Sequence, residues 1–164
     1  MLNTNELSVY ANVKGSEREQ EFTELLEHIN QNEGRQASLW SGGISKKQMV
    51  WLDNLLAECE EKNNHVLICT HHPLYPQSDY TALNNMAILK TISKYTCVKA
   101  VFSGHHHAGA FSYYQGIPMI TLEGMVETKN LNAYSIVDIT EDSIIVKGYG
   151  RASTRSFRYS SLFN

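Results

Sequence analysis

The stretch Val98-Lys99-Ala100-Val101-Phe102-Ser103-Gly104-His105-His106-His107 decides how the rest of the chain is interpreted. Its first six residues are mostly apolar, which is typical of a buried strand. Gly104 would then let the backbone turn sharply beside a bound group. In an extended loop, side chains two positions apart point the same way, so His105 and His107 can face one site while His106 turns elsewhere. Because neutral imidazole is the commonest protein metal ligand, the stretch predicts a metal site. A polar surface loop with a chance histidine run is the alternative.

A second strand with the same ending precedes this one. Residues 65–70 form a short apolar run that stops at His71-His72-Pro73. Between the two strands, Met86, Ile88, Leu89 and Ile92 recur at helical spacing, which predicts a crossover helix. A strand, a helix and a strand in this order form a βαβ unit with adjacent parallel strands. The unit would bring His71 close to His105 and His107 at one edge of the sheet.

The remaining segments add two helices and two hairpins. Ser16 with Glu19, and Ser45 with Gln48, have the spacing of capping boxes. The apolar stripes that follow these caps are Phe22, Leu25, Leu26 and Ile29, then Met49, Leu52, Leu55 and Leu56. Beyond His107 the hydrophobic period changes to two, which predicts one hairpin turning at Gly116-Ile117 and another turning at residues 140–142. We expect an extended segment at residues 1–14, a polar loop at 31–43 and a loosely held tail at 151–164.

Composition limits the class of protein. The 164 residues suit one domain, with 42% hydrophobic and 19% charged residues. The net charge of −3 includes no basic block, so we expect no nucleic-acid surface, and no apolar run is long enough for a membrane span. We expect no signal peptide at residues 1–13. Cys59, Cys69 and Cys97 are scattered and odd in number, which favours free thiols and a cytoplasmic location.

Thr70-His71-His72-Pro73 and Gly104-His105-His106-His107 resemble the last two metal-binding motifs of the calcineurin-like metallophosphoesterases. The wider sequence is most similar to the manganese-dependent ADP-ribose/CDP-alcohol diphosphatases, from about Thr4 to Arg151. The segments that carry this similarity are Gly42-Gly43-Ile44-Ser45, Gln48, Trp51-Leu52, Pro73-Leu74-Tyr75-Pro76 and Leu122-Glu123-Gly124-Met125-Val126-Glu127-Thr128. The resemblance covers only the carboxyl-terminal half of the family's domain.

The resemblance implies a fold and a set of ligands. Residues 1–164 would form a single partial domain, the carboxyl-terminal half of an α/β/β/α sandwich, in which antiparallel strands follow a parallel βαβ unit. His71 and His105 would bind one divalent ion and His107 the other. Manganese is favoured by resemblance, although imidazole also suits iron or zinc. The substrate would be a phosphorylated small molecule, such as a nucleotide diphosphate or a phosphate ester. We expect lesser roles for His72 and His106, and ordinary roles for His28 and His65.

The sequence also departs from the family pattern. The family's Asp-x-His, Gly-Asp-x-x-Asp and Gly-Asn-His-Asp/Glu motifs are absent, and with them the bridging carboxylate and a catalytic histidine. We therefore assign no catalytic residue and expect the chain alone to be inactive. It would be a fragment, one part of a split enzyme, or a relative that has lost catalysis, and its half sheet would favour self-association. A non-catalytic metal-binding or interaction module is the second functional class.

Two ambiguities concern side chains near the predicted site. Trp40 is either a packing anchor or a substrate contact. Glu123 and Glu127 follow the metal loop, and could contact substrate, support a ligand or lie in a surface loop. A thiol redox enzyme and a serine hydrolase are disfavoured because neither Cys-x-x-Cys nor Gly-x-Ser-x-Gly occurs.

Overall fold

The computed structural model describes residues 1–32, 37, 38 and 40–158. Two helices come first, a strand, a helix and a strand follow, and the remaining elements of the described residues are all strands. The helices are α1 (Glu17–Asn32), α2 (Lys46–Glu61) and α3 (Asn85–Ile92). The strands are β1 (Val66–Cys69), β2 (Val98–Ser103), β3 (Ala110–Tyr114), β4 (Ile117–Thr121), β5 (Ala133–Ile139), β6 (Ser143–Gly150) and β7 (Arg155–Arg158). None of the helices in these residues is both long enough and apolar enough to cross a membrane.

The first sheet has the order β1-β2-β4-β3. β1 and β2 are adjacent and parallel, with Ile68 opposite Val101, so the predicted βαβ unit is confirmed. β4 is also parallel to β2, whereas β3 runs antiparallel to β4. The carboxyl ends of β1, β2 and β4 therefore meet at one edge of the sheet, which is where ligand sites form in open α/β sheets.

The second sheet has the order β5-β6-β7 and is antiparallel. Ile144, Val146 and Phe157 on its inner face pack against Phe102 and Ile120 of the first sheet. The opposite face of the first sheet is covered by α2 and α3, whose Leu52, Leu56, Ile88, Leu89 and Ile92 share one cluster with Ile68, Val98, Val101 and Met119. The layers run helix, sheet, sheet, which is the predicted partial sandwich.

Both predicted helix caps are present, but neither forms a complete capping box. Ser16 Oγ accepts from the Glu19 N–H, and Ser45 Oγ accepts from the Gln48 N–H at 3.1 Å. The Ser45 N–H donates to Glu6 Oε2 at 3.0 Å, while Gln48 Oε1 accepts from the Asn3 N–H at 2.7 Å. Glu6, rather than Gln48 as predicted, therefore accepts the hydrogen bond from the Ser45 N–H.

Residues 1–14 are not extended, contrary to the prediction. They form successive turns, and Leu2, Thr4, Glu6 and Leu7 are buried. The Leu2 N–H donates to the Cys69 carbonyl at 2.8 Å, and Leu7 pairs with Gly43 in an antiparallel bridge. The conformation of residues 1–14 depends on contacts with distant residues. The local hydrophobic pattern of the sequence therefore could not predict it.

Three other boundaries differ from prediction. The first hairpin turns at Gln115-Gly116, both with positive φ, so Ile117 already belongs to β4. Residues 155–158 form β7 rather than a loose tail, because Phe157 fills the space between the sheets. Residues 31 and 32 extend α1, and the rest of the predicted 31–43 loop is not strand or helix where described. Residues 33–36 and 39 of that loop, and 159–164 of the tail, lie outside the described residues.

Candidate metal centre

The candidate centre lies at the edge where three parallel strands end. His71 follows β1, His105 follows β2, and the segment from Leu122 to Glu127 follows β4. Because side chains at the carboxyl ends of neighbouring parallel strands converge, residues far apart in the sequence reach one place.

His71 and His105 have the geometry of two ligands to one ion. His71 Nε2 lies 3.0 Å from His105 Nδ1. Imidazole nitrogens bind divalent transition-metal ions at a metal–nitrogen distance of about 2.1 Å. Two nitrogens in adjacent octahedral positions are then about 3.0 Å from each other. The donor set therefore fits a divalent ion. Together with His72, these rings form a group whose nitrogens lie within 4.8 Å of one another, and this group contains no carboxylate from the described residues.

The electrostatics keep both rings neutral. Burial, followed by the neighbouring charges of His72 and His71, lowers the pKa of His105 to about 4. Burial and, less strongly, His107 also lower the pKa of His71 below its usual value. Since only neutral imidazole has a lone pair free for a metal, the lowered pKa values favour the ligating form of both side chains at neutral pH.

The turn at the site is made by His105 rather than Gly104. His105 has φ of 62°, in the left-handed region, whereas Gly104 has an ordinary φ. A methyl group added at Gly104 would come no closer than 3.8 Å to the His71 carbonyl. The sharp turn predicted at Gly104 is therefore made one residue later, at His105. A histidine held at positive φ is a local strain that surrounding contacts must sustain.

His72 is a buried support, with 1% of its surface exposed. Its Nε2 lies 3.0 Å from the Trp40 carbonyl, which can only accept, so Nε2 carries the proton. Its Nδ1 then accepts from the Thr4 hydroxyl at 3.0 Å. Thr4 Oγ1 in turn accepts from the N–H groups of His71 and His72, at 3.2 and 3.0 Å. Because both ring nitrogens of His72 are hydrogen-bonded, neither is free to bind a metal ion, although the ring belongs to the histidine group.

Thr4 is the supporting residue that the sequence did not reveal. It is fully buried, and its hydroxyl holds the backbone on either side of the His71 peptide. No local pattern marks a single threonine that contacts residues more than sixty positions away.

His107 lies beside His105 but is not part of the three-histidine group. Both side chains line two pockets at the strand ends. His107 Nδ1 lies 2.5 Å from Glu127 Oε1, so its Nε2 is the nitrogen left for an ion. Glu123 is instead bound to Ser153, whose hydroxyl donates to Oε1 at 2.6 Å. The two acidic residues after the metal loop therefore have different roles.

Aromatic side chains line one of these pockets, which has a volume of about 480 Å³. His106 stacks on Tyr80, with ring centroids 4.4 Å apart and planes 8° apart. Trp40, which is 51% exposed, lines the same pocket together with His105 and Glu127. Trp40 is therefore not a packing anchor through its ring. Tyr80 was not singled out in the sequence, because a tyrosine in a polar loop has no distinctive pattern.

Comparisons with known proteins found relatives by sequence and by structure. No family model matches the chain. The manganese-dependent ADP-ribose/CDP-alcohol diphosphatases of Mus musculus and Homo sapiens are 33% and 34% identical to it over 125 residues. Each match covers 73% of this chain but only 37% and 36% of the relative, so the chain spans little more than a third of the length of these proteins.

A solved structure matches over more of the chain. The crystal structure of a dimetal phosphatase from Danio rerio superposes with a TM-score of 0.84 and 28% sequence identity. This match covers 94% of the present chain and 55% of that chain. The sequence and structure matches together place the chain in the calcineurin-like metallophosphoesterase family, as a part of the length of its relatives, the manganese-dependent ADP-ribose/CDP-alcohol diphosphatases.

Proposed function

We propose that this chain supplies the carboxyl-terminal part of a two-metal phosphohydrolase site. The observation that carries the proposal is the 3.0 Å approach of His71 Nε2 to His105 Nδ1, between two neutral rings at adjacent strand ends. The names of the relatives, and the match to a dimetal phosphatase, support the same chemistry.

Each histidine has a proposed task. His71 and His105 hold one divalent ion, and His107 presents Nε2 to the other. Manganese is the proposed metal because the relatives are named as manganese-dependent. A bound pair of ions would supply Lewis-acid stabilisation of charge on phosphoryl oxygens and a hydroxide nucleophile at neutral pH. The chain's own contribution is to keep the rings neutral and to fix their directions through Thr4, His72 and Glu127.

The proposed substrate is a phosphorylated small molecule with a planar base, such as ADP-ribose or a CDP-alcohol. The relatives' names supply these two compounds. The aromatic pocket supports the assignment, because the flat surfaces of Trp40 and Tyr80 lie beside the histidines. Stacking on aromatic side chains is worth about 1–3 kcal/mol per base and tolerates different bases. Adenine and cytosine derivatives can therefore use one pocket.

We further propose that residues 1–164 form one partial domain that needs additional residues for catalysis. The bridging carboxylate must come from elsewhere, since the sequence lacks the motifs that carry it. The proposed source is a segment with those motifs, either in a longer polypeptide of which this chain is a fragment or in a second polypeptide. Self-association is the other proposal. It is supported by the second sheet's outer face, where Tyr134 and Ile136 are each 49% exposed and Tyr149 stacks on Tyr134.

A non-catalytic module is the second candidate function. The observation that favours it is the histidine group without a carboxylate in the described residues, which could bind one ion without hydrolysing a substrate. A cytoplasmic location is proposed for either function, because Cys59, Cys69 and Cys97 are all free thiols.

The test is complementation with the missing motifs. The purified chain is mixed with the amino-terminal part of the mouse relative, and manganese-dependent hydrolysis of ADP-ribose is measured. We expect negligible turnover from either polypeptide alone and clear turnover from the mixture. His105→Ala should abolish this turnover, while His106→Ala, the matched control, should retain the metal-dependent reaction. Turnover by the chain alone that survives His105→Ala would overturn the phosphohydrolase proposal. Ion binding without turnover in the mixture would favour the non-catalytic module.

A further inference from the structure

The segment that follows β4 contacts His107 from more than one side. Glu127 Oε1 lies 2.5 Å from His107 Nδ1. The Gly124 N–H donates to the His107 carbonyl at 2.9 Å. A methyl group added at Gly124 would lie only 2.5 Å from His107 Cγ, so the glycine backbone packs directly against the imidazole ring. Residues 124–127 therefore lie against the main chain, the ring carbons and a ring nitrogen of His107.

This segment is itself fastened to the second sheet. An Arg151 guanidinium nitrogen donates to the Gly124 carbonyl at 2.6 Å. One residue earlier, Glu123 Oε1 accepts from the Ser153 N–H at 3.2 Å and from its hydroxyl at 2.6 Å. Arg151 and Ser153 lie in the connection between β6 and β7. Arg151 thus holds Gly124, which in turn contacts His107, so the second sheet supports His107 through Gly124.

The contact between His107 Nδ1 and the Glu127 carboxylate determines which ring nitrogen of His107 carries the proton. A carboxylate can only accept, so Glu127 selects the His107 tautomer with the proton on Nδ1. The lone pair then lies on Nε2, at the opposite end of the ring. In metal sites, a carboxylate on the second nitrogen of a histidine ligand fixes the ring's tautomer and orientation. Glu127 and His107 are both about half exposed, which leaves the far side of the ring accessible.

We propose that Glu127 is a positioning residue that sets the tautomer and direction of His107, with Gly124 and Arg151 holding the segment that presents it. The proposal rests on the proposed function, because it gives the His107 Nε2 lone pair an ion to bind. It adds a role for an acidic side chain that does not itself contact the ion.

The proposal is tested by measuring the tautomer of the His107 ring by nuclear magnetic resonance. Two-bond proton–nitrogen correlation spectra of the 15N-labelled chain, recorded at about pH 8 where an ordinary imidazole is neutral, distinguish Nδ1–H from Nε2–H rings. The His107 signal is assigned by its loss in His107→Ala. We expect Nδ1–H in the unaltered chain and a change to the Nε2–H form, which free histidine favours, in Glu127→Ala.

Two further variants separate positioning from general structure. Glu127→Gln keeps an oxygen at the same reach and should retain the Nδ1–H form. Glu141→Gln, an exposed change in the β5–β6 turn, should leave the His107 signal unaltered. In the complemented protein, Glu127→Ala should weaken manganese binding about 10–100-fold. An Nε2–H ring at His107 in the unaltered chain, or an unchanged tautomer in Glu127→Ala, would overturn the inference.

A separate readout tests the proposed function in the same samples. Added Mn²⁺ should broaden the His71 and His105 signals. A tautomer change in Glu127→Ala without any such broadening would support the positioning of His107 while contradicting the proposed ion site. Broadening with an unchanged tautomer would contradict only the positioning role.

Discussion

His71 Nε2 and His105 Nδ1 lie 3.0 Å apart although 34 positions separate the two residues in the sequence. The approach follows from the topology, since β1 and β2 are adjacent and parallel and each histidine stands just past a strand end. A hydrogen bond from the Gly104 N–H to the His71 carbonyl, at 3.0 Å, also ties the two strand ends together. The sheet therefore preforms the nitrogen pair, and an ion need not assemble it from flexible loops.

The positive φ of His105 predicts an unusual order of stability for two variants. A residue with a Cβ is strained in the left-handed region, whereas glycine is not. His105→Gly should therefore be about 1 kcal/mol more stable than His105→Ala, measured by urea denaturation. Neither variant should retain the proposed ion site.

The same pair of changes at the next position is the control. His106 is not among the residues with positive φ, so His106→Gly should be less stable than His106→Ala there. If glycine were also the less stable substitution at His105, the strained turn would be contradicted.

Removal of the buried Thr4 hydroxyl should lower the free energy of unfolding. Thr4→Val keeps the shape but leaves the N–H groups of His71 and His72 and the Nδ1 of His72 without their partner. An unsatisfied buried polar group costs about 1–3 kcal/mol, so thermal and urea denaturation should show a loss of that size. Thr23→Val, an exposed change on α1, should stay within about 0.5 kcal/mol of the unaltered chain. Equal effects at the two sites would contradict the supporting role of Thr4.

Much of the fold could be predicted because its signals are local. The run of mostly apolar residues located β2 at residues 98–103, and Ser45 marked the start of α2. The order of strand, helix and strand then predicted that His71 would lie near His105. These inferences need only hydrophobic period, caps and the rule for parallel connections.

The missed features depend on contacts between distant residues. The sequence shows that Glu6 is acidic, but only the packed chain places it on Ser45. Phe157 looked like part of a tail until the second sheet supplied its partners. Glu127 could have been related to His107 if β4 had been recognised as parallel to β2, because its loop then emerges at the same edge as the histidines.

The lowered pKa of Glu6 leads us to expect that the stability of the protein depends on pH. Burial raises the pKa of Glu6, but hydrogen bonds from Ser45 and Gln48 and the charge of Arg18 outweigh it and lower the pKa below 4.5. A lowered folded pKa stabilises the protein above the unfolded value, and this contribution is lost as pH falls through the folded value.

Urea denaturation at a series of pH values below about 5 measures this contribution. Glu6→Gln should be less stable than the unaltered chain at neutral pH, and the difference should shrink on acidification. Glu141→Gln, in an exposed turn, is the matched control and should leave the pH profile unchanged. A difference between Glu6→Gln and the unaltered chain that stays constant over this range would contradict the assigned interaction.

The most direct test of the central claim is the stoichiometry of Mn²⁺ bound to the chain alone, measured by electron paramagnetic resonance of the free ion. We predict at most one weakly bound ion per chain, held by His71 and His105. Binding should disappear in His71→Ala and in His105→Ala and persist in His106→Ala. Unchanged binding in His105→Ala would contradict the account, because the nitrogen pair at the two strand ends would then not be the site.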